Sequence, residues 1–218
     1  MTKKSAPATD PHDPSAQARP KTADLLLQSV GTLIRERNSL TFSLNEVAAH
    51  AGVNAALVKY YFGNKSGMLV ALLERNLSPH LRAMEHLLSL DLPVAKKIRI
   101  HLDGMVRAYF KFPYLNRLLN HLLREPEADS ADIHARFVEP VVDGYRRLIA
   151  DGVAEGAMRP VDPVLFYVST VGVCDQLVAS RESLRIILGP DAVDEALCRR
   201  YAEHITGVIL HGVMQPGR

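Results

Sequence analysis

The sequence predicts an all-α protein, and three observations predict it. Apolar residues recur three and four positions apart through most of the 218 residues. Proline and glycine punctuate the chain where helices would start and stop. No segment alternates apolar and polar residues as a half-buried strand does. Hydrophobic content of 47% against 23% charged residues suffices for a packed core and argues against global disorder.

The elements follow in order. Residues 1–20 are rich in Pro, Ala, Ser and Asp and carry no apolar period, so a flexible tail is expected. Leu26, Val30, Leu33 and Ile34 then fall at helical spacing, giving a helix from about Thr22 to Arg37. Ser43 opens a second helix, with Glu46 three residues on completing a capping box and Phe42 and Val47 placed as a hydrophobic staple. Only Gly52 and Val53 separate this helix (to Ala51) from the next (Asn54–Phe62), and so tight a turn needs the positive φ that glycine tolerates. A longer helix follows Asn64, carrying Leu69, Leu72, Leu73 and Leu77 on one side, with Pro79 expected to kink or interrupt it. Pro93 starts another, ended by Pro113, and Tyr114–Arg124 form a shorter one. Beyond the loop "EPEADS" a helix is expected from about Ala131 to Glu155, bent or split at Pro140. Asp162 and Pro163 cap a helix reaching Leu188, Gly189 and Pro190 stop it, and a last helix covers about Asp191 to Val213.

The stretch "SLNEVAAHAGVNAALVKYYFGNK" holds the chemistry. Small Ala48 and Ala51 let two helices cross closely, while Val47, Val53, Val58 and Phe62 supply a small core. This is the helix-turn-helix plan, whose second helix is free to enter a DNA major groove. Asn54 is the expected N-cap, presenting unpaired amides to a phosphate or base edge. Ala55 and Ala56 are slim enough to reach base edges and touch a thymine methyl. Lys59 and Lys65 pair with phosphates, and the hydroxyls of Tyr60 and Tyr61 donate to phosphate oxygens. Asn64 caps the following helix and sets Lys65 at its positive end. The same shape occurs in bundles that bind no DNA; the basic-aromatic end in register is what separates the two readings.

The segment "SLNEVAAHAGVNAALVKYYFGNKSGML" resembles the signature of TetR-family transcriptional regulators, in which a supported helix-turn-helix ends in an aromatic-rich Y-x-H-F-x-x-K segment. The resemblance covers about residues 22–75. It implies phosphate contacts from Ser43, Tyr61 and Lys65 and base contacts from Asn54, Ala55 and Ala56. Lys59 stands where that family often has tyrosine, and Tyr61 where it often has histidine. The expected organisation is a tail (1–20), a DNA-binding domain (21–75) and a helical effector-binding and dimerisation domain (76–218).

One helix-turn-helix touches few base pairs, so specificity calls for a dimer spanning two half-sites about 34–36 Å apart. Val164, Leu165, Val168, Val171 and Leu177 give one late helix a broad apolar face. Val193, Leu197, Tyr201, Val208 and Gly212 give the last a mostly four-residue repeat; the resemblance implies a four-helix homodimer interface there, the alternative being that these faces close the monomer core. Met105, Tyr109, Phe110, Tyr114, His121, Phe137, Tyr145, Phe166 and Cys174 are the candidate lining of an effector pocket, though ordinary cores have the same composition.

The expected function is a ligand-responsive repressor that binds a palindromic double-stranded DNA operator as a homodimer and is released by a small-molecule effector. The alternatives are a helical protein–protein adaptor, or an enzyme using the central chamber; no convergent acid–base or nucleophile set supports the enzyme. Neither a cofactor nor a metal is expected. His204 and His211 lie two turns apart, too far for one ion, and Cys174 and Cys198 lack ligand spacing. No apolar run is long enough for a membrane span, and the two early lysines precede no signal-like segment, so a cytoplasmic protein with reduced thiols is expected.

Overall fold

The structure, a computed structural model, describes residues 14–126 and 128–215. Among these there is no β-strand, only an isolated antiparallel bridge between Met158 and Met214. The chain divides into two compact units, Met1–Met68 and Leu69–Arg218. The division falls within a helix, seven residues before the boundary expected at residue 75.

The first unit contains α1 (Pro14–Arg37), α2 (Leu44–Ala51), α3 (Ala55–Phe62) and the start of α4 (Lys65–Ser89). Helix α1 starts at Pro14 rather than Thr22, so residues 14–20 belong to a helix and not to the expected tail; residues 1–13 of that tail lie outside the described residues. Its buried stripe of Leu26, Leu27, Val30, Leu33 and Ile34 follows helical spacing and packs on α2 and α3. Phe42, Val47, Ala48 and Val58 complete the core, each buried. The turn between α2 and α3 takes the expected form: Gly52 has φ 67° and ψ 29°, the left-handed region.

In the second unit α4 continues through Pro79 to Ser89, so Pro79 does not end it. Pro79 lies exposed, where water can satisfy the backbone carbonyl its ring leaves unpaired. Then come α5 (Val94–Lys111), α6 (Leu115–Leu122), α7 (Ser130–Ile133), a π-helical turn (His134–Val138) and α8 (Glu139–Ala154). The split expected at Pro140 takes the form of that π turn. Proline at the second position of α8 has no N–H to donate back, and the preceding turn widens.

Helix α9 (Pro163–Ala179) is N-capped by Asp162, whose Oδ1 accepts from the amides of Val164 and Leu165 at 2.7 and 3.0 Å. The helix expected to run on to Leu188 breaks at Ser180 and resumes as α10 (Arg181–Leu188), bent by 57°. The last helix, α11 (Glu195–Val213), starts at the Asp194 cap rather than at Asp191. Helix α5 packs against α9 and α11, and α8 against α9. Ile98, Leu102, Val106, Tyr145, Leu148 and Cys174 are among the residues of their common core. Burying each aliphatic side chain of this kind contributes about 1.5–3 kcal/mol.

Candidate nucleic-acid interface and effector cavity

Local bonds set the geometry of the helix-turn-helix. Ser43 Oγ accepts from the Glu46 amide at 3.2 Å, and Glu46 Oε2 accepts from the Ser43 amide at 2.7 Å, closing the capping box. Glu46 also accepts from Arg37 Nη1 at 2.8 Å, which ties α2 to the end of α1. The bond from the Ser43 amide, followed by that from Arg37, holds the Glu46 carboxyl down at about 2. Nothing in local spacing announces the Arg37 contact, which spans nine residues.

Helix α3 turns Val58 inward and leaves Ala55, Ala56, Lys59 and Tyr60 exposed. Asn54 is the N-cap, with Oδ1 accepting from the Ala56 amide at 2.8 Å, and is itself exposed. Tyr61 is half-buried, packed edge-on against Tyr60 with ring centroids 5.1 Å apart. Asn64 Oδ1 accepts from the Gly67 amide at 2.8 Å and so caps α4. Lys65 is half-buried, its Nζ 4.5 Å from the Phe42 ring centroid, a cation–π contact that orders the side chain. The candidate DNA-contact residues therefore lie together in the first unit. The first turn of α3 is open to solvent, whereas Tyr61 and Lys65 are half-buried against Tyr60 and Phe42 respectively.

A family profile for bacterial regulatory proteins of the TetR family matches residues 32–72. A second, for tetracyclin repressor-like C-terminal domains, matches residues 91–218, more than half of the chain. The chain belongs to the TetR family. As a TetR-family transcription regulator it carries the N-terminal helix-turn-helix and the helical C-terminal domain of that family. Among solved structures it is similar to a TetR-family regulator from Marinobacter aquaeolei (TM-score 0.68, 15% identity, covering 92% of this chain and 100% of that one). It is also similar to the fatty acid degradation regulator FadR from Bacillus halodurans (TM-score 0.62, 17% identity, 84% and 97% covered). A third is SmeT, repressor of the Stenotrophomonas maltophilia multidrug efflux pump SmeDEF (TM-score 0.61, 16% identity, 89% and 91% covered). At these identities the likeness establishes the fold. Comparison with curated protein sequences finds no match.

Within the C-terminal unit of this TetR-family chain lies a cavity of ≈ 70 Å³ between α4, α5, α6, α9 and the π turn. Three of the nine candidate pocket residues line it: Met105, Tyr109 and Phe137. The other six do not. Tyr145, Phe166 and Cys174 are core, Tyr145 lying edge-on to Phe166 at 4.9 Å. Tyr114 is buried, with its hydroxyl accepting from Asn76 Nδ2 at 3.1 Å. Phe110 packs against the core, and His121 pairs with Glu125 at 3.3 Å. Core and pocket residues share one composition, and only helix rotation separates them.

Sequence reasoning missed the polar wall, His80 and His101. His101 Nε2 meets the Tyr145 hydroxyl at 2.8 Å, and Thr170 Oγ1 lies 3.0 Å from the same hydroxyl. Burial pushes His101 down to about 4 and also lowers His80, with the Lys111 ammonium adding to the effect on His80. Burial likewise raises the Tyr109 and Tyr167 hydroxyls. Cys174 is pushed up to about 12, the opposite of a reactive thiolate. Among the described residues no group of three or more His, Cys, Asp or Glu is placed to hold a metal, and no single helix is long and apolar enough to cross a membrane.

Three assignments to the candidate dimer face also change. Leu177 and Val193 are buried in the monomer, and Val171 lines the cavity. Val164, Leu165 and Val168 on α9 and Val208 on α11 are exposed at 50–67%. Helix α9 is thus apolar on two faces, and Phe166, Thr170 and Cys174 form the inward one.

Proposed function

We propose that this chain is a cytoplasmic, ligand-responsive repressor that binds a palindromic operator as a homodimer and releases it when a small molecule enters the C-terminal cavity. The observation that carries the reading is the exposed first turn of α3. Asn54, Ala55 and Ala56 stand clear of their own core, with Lys59 and Tyr60 beside them. In this reading Asn54, Ala55 and Ala56 meet base edges, and Ser43, Lys59, Tyr60, Tyr61 and Lys65 hold phosphates. The exposed apolar residues of α9 and α11 pair the two copies. SmeT, of the same fold, is a repressor and is known in complex with triclosan, which supports a small-molecule effector here.

Helix α4 links the two events. Lys65 begins it, while Leu77, His80, Leu81 and Met84, further along the same helix, line the cavity. A ligand pressing on those four residues biases the helix that carries the phosphate contact. A coupling of about 1–3 kcal/mol weakens operator binding roughly 5–150-fold, provided the ligand binds the two states unequally.

The test is selection of DNA fragments by the purified protein, followed by binding measured against salt. A palindrome is expected. Lys59→Ala and Lys65→Ala should each weaken binding to all sequences and lower the salt slope by about one. Lys59 is the cleaner probe, because Lys65 also packs on Phe42. No selected sequence, or slopes unchanged in both variants, overturns the reading.

A further inference from the structure

The lining of the effector cavity contains no lysine, arginine, aspartate or glutamate. Its polar groups are the imidazoles of His80 and His101 and the hydroxyls of Tyr109 and Tyr167. Two charged residues outside the lining act on it. Lys111 acts on His80 from the end of α5, and Asp175 acts on Tyr109 from α9, where its Oδ2 accepts from Asn116 Nδ2 at 2.9 Å. Burial disfavours the charged forms of both histidines and both tyrosines, so the wall presents dipoles without net charge. The Tyr145 hydroxyl occupies one nitrogen of His101. The hydroxyls of Tyr109 and Tyr167 make no hydrogen bond among the described residues and are available to a ligand.

The cavity can also grow. A second space of ≈ 80 Å³ shares His80, Met84, His101 and Met105 with the first. Met84 and Met105 are unbranched and adaptable, so turning them aside joins the two spaces. Joined, they approach the roughly 150 Å³ at which an apolar cavity holds a benzene ring.

We propose that this cavity selects an uncharged, lipophilic molecule of about one aromatic ring bearing a hydroxyl or carbonyl oxygen, held by Tyr109 and Tyr167, and rejects carboxylates and ammonium ions of the same shape. The physical reason is the asymmetry of desolvation. An oxygen that finds a tyrosine hydroxyl replaces the hydrogen bonds it lost to water, whereas a buried ion without a counter-ion loses its hydration and regains little. The proposal rests on the effector-site reading for its purpose, but ligand selection is measured on the protein without DNA.

The experiment is titration calorimetry at pH 7.5 with 4-ethylbenzyl alcohol, 4-ethylbenzoate and 4-ethylbenzylammonium. The alcohol should bind at least roughly tenfold more tightly than either ion. Tyr109→Phe and Tyr167→Phe keep the ring and remove only the hydroxyl. At least one of them should weaken the alcohol by about threefold to tenfold, the loss of one hydrogen bond. Having two isosteric variants keeps the test valid if one misfolds. Benzoate binding as tightly as the alcohol, no binding by the alcohol, or full alcohol affinity in both variants each overturns the proposal. If the alcohol binds as expected but leaves the affinity for the selected DNA unchanged, the repressor reading fails and the ligand selectivity stands.

Discussion

Single side chains close two local circuits whose pH responses differ in range. Ser43 and Glu46 satisfy one another's amides at the start of α2. Ser43→Ala should cost about 1 kcal/mol in urea denaturation, the usual value for a lost N-cap, and loosen the helix pair that presents Asn54. Glu46 titrates at about 2 in the folded chain against its ordinary 4.5. Its stabilisation is therefore complete above pH 4.5 and disappears as pH falls toward 2. His101 acts in a milder range, because it titrates at about 4 when folded against its ordinary 6.5. The unfolded chain takes up this proton first, so stability should fall as pH drops from 6.5 to 4. Thermal melts across that window check the sign, and His101→Phe should flatten the slope.

At the scale of elements, close approach and unusual backbone decide where helices begin and how they turn. Gly67 sits in the first turn of α4, where an added Cβ would lie 2.2 Å from the Phe62 carbonyl oxygen. That atom is backbone and cannot swing aside. Gly67→Ala should therefore cost about 1–3 kcal/mol in chemical denaturation and weaken DNA binding in mobility shifts, by displacing α3 from α4. Wild-type stability in that variant would show that the turn relaxes freely. Further along, the π turn before Pro140 brings Phe137 to the cavity, while Arg136 beside it pairs with Glu74 of α4 at 2.8 Å. One irregular turn thus touches both the cavity and the helix that leads to Lys65.

For the whole molecule, the proposed palindromic operator calls for a pair of copies, one for each half-site. The outward row of α9, Leu165 and Val168 with exposed Gly172, has the spacing of one helix face, and His204, Val208 and Gly212 of α11 repeat every four residues. Leu165 is 67% exposed, so Leu165→Glu should leave the monomer fold intact. It should also convert the dimer to monomer in sedimentation and sharply reduce operator affinity, because one half-site alone remains. A dimer that persists in Leu165→Glu would place the pairing surface elsewhere, with the exposed Ile186 and Ile187 of α10 the next to test.

The sequence by itself determined the all-α class, the capping box at Ser43, the glycine turn at Gly52 and the outward residues of α3. Each of these depends on atoms no more than four residues apart, so spacing and side-chain chemistry suffice to read them. Only the tertiary structure decided which apolar residues enclose the cavity. Met105 and Tyr145 sit on two helices in contact, yet one lines the space and the other fills the core beside it. The His101–Tyr145 bond spans 44 residues, and the break at Ser180 carries no proline or glycine to mark it. Such features follow from how helices rotate against one another to fill a shared volume, and that rotation depends on all of the packed side chains at once.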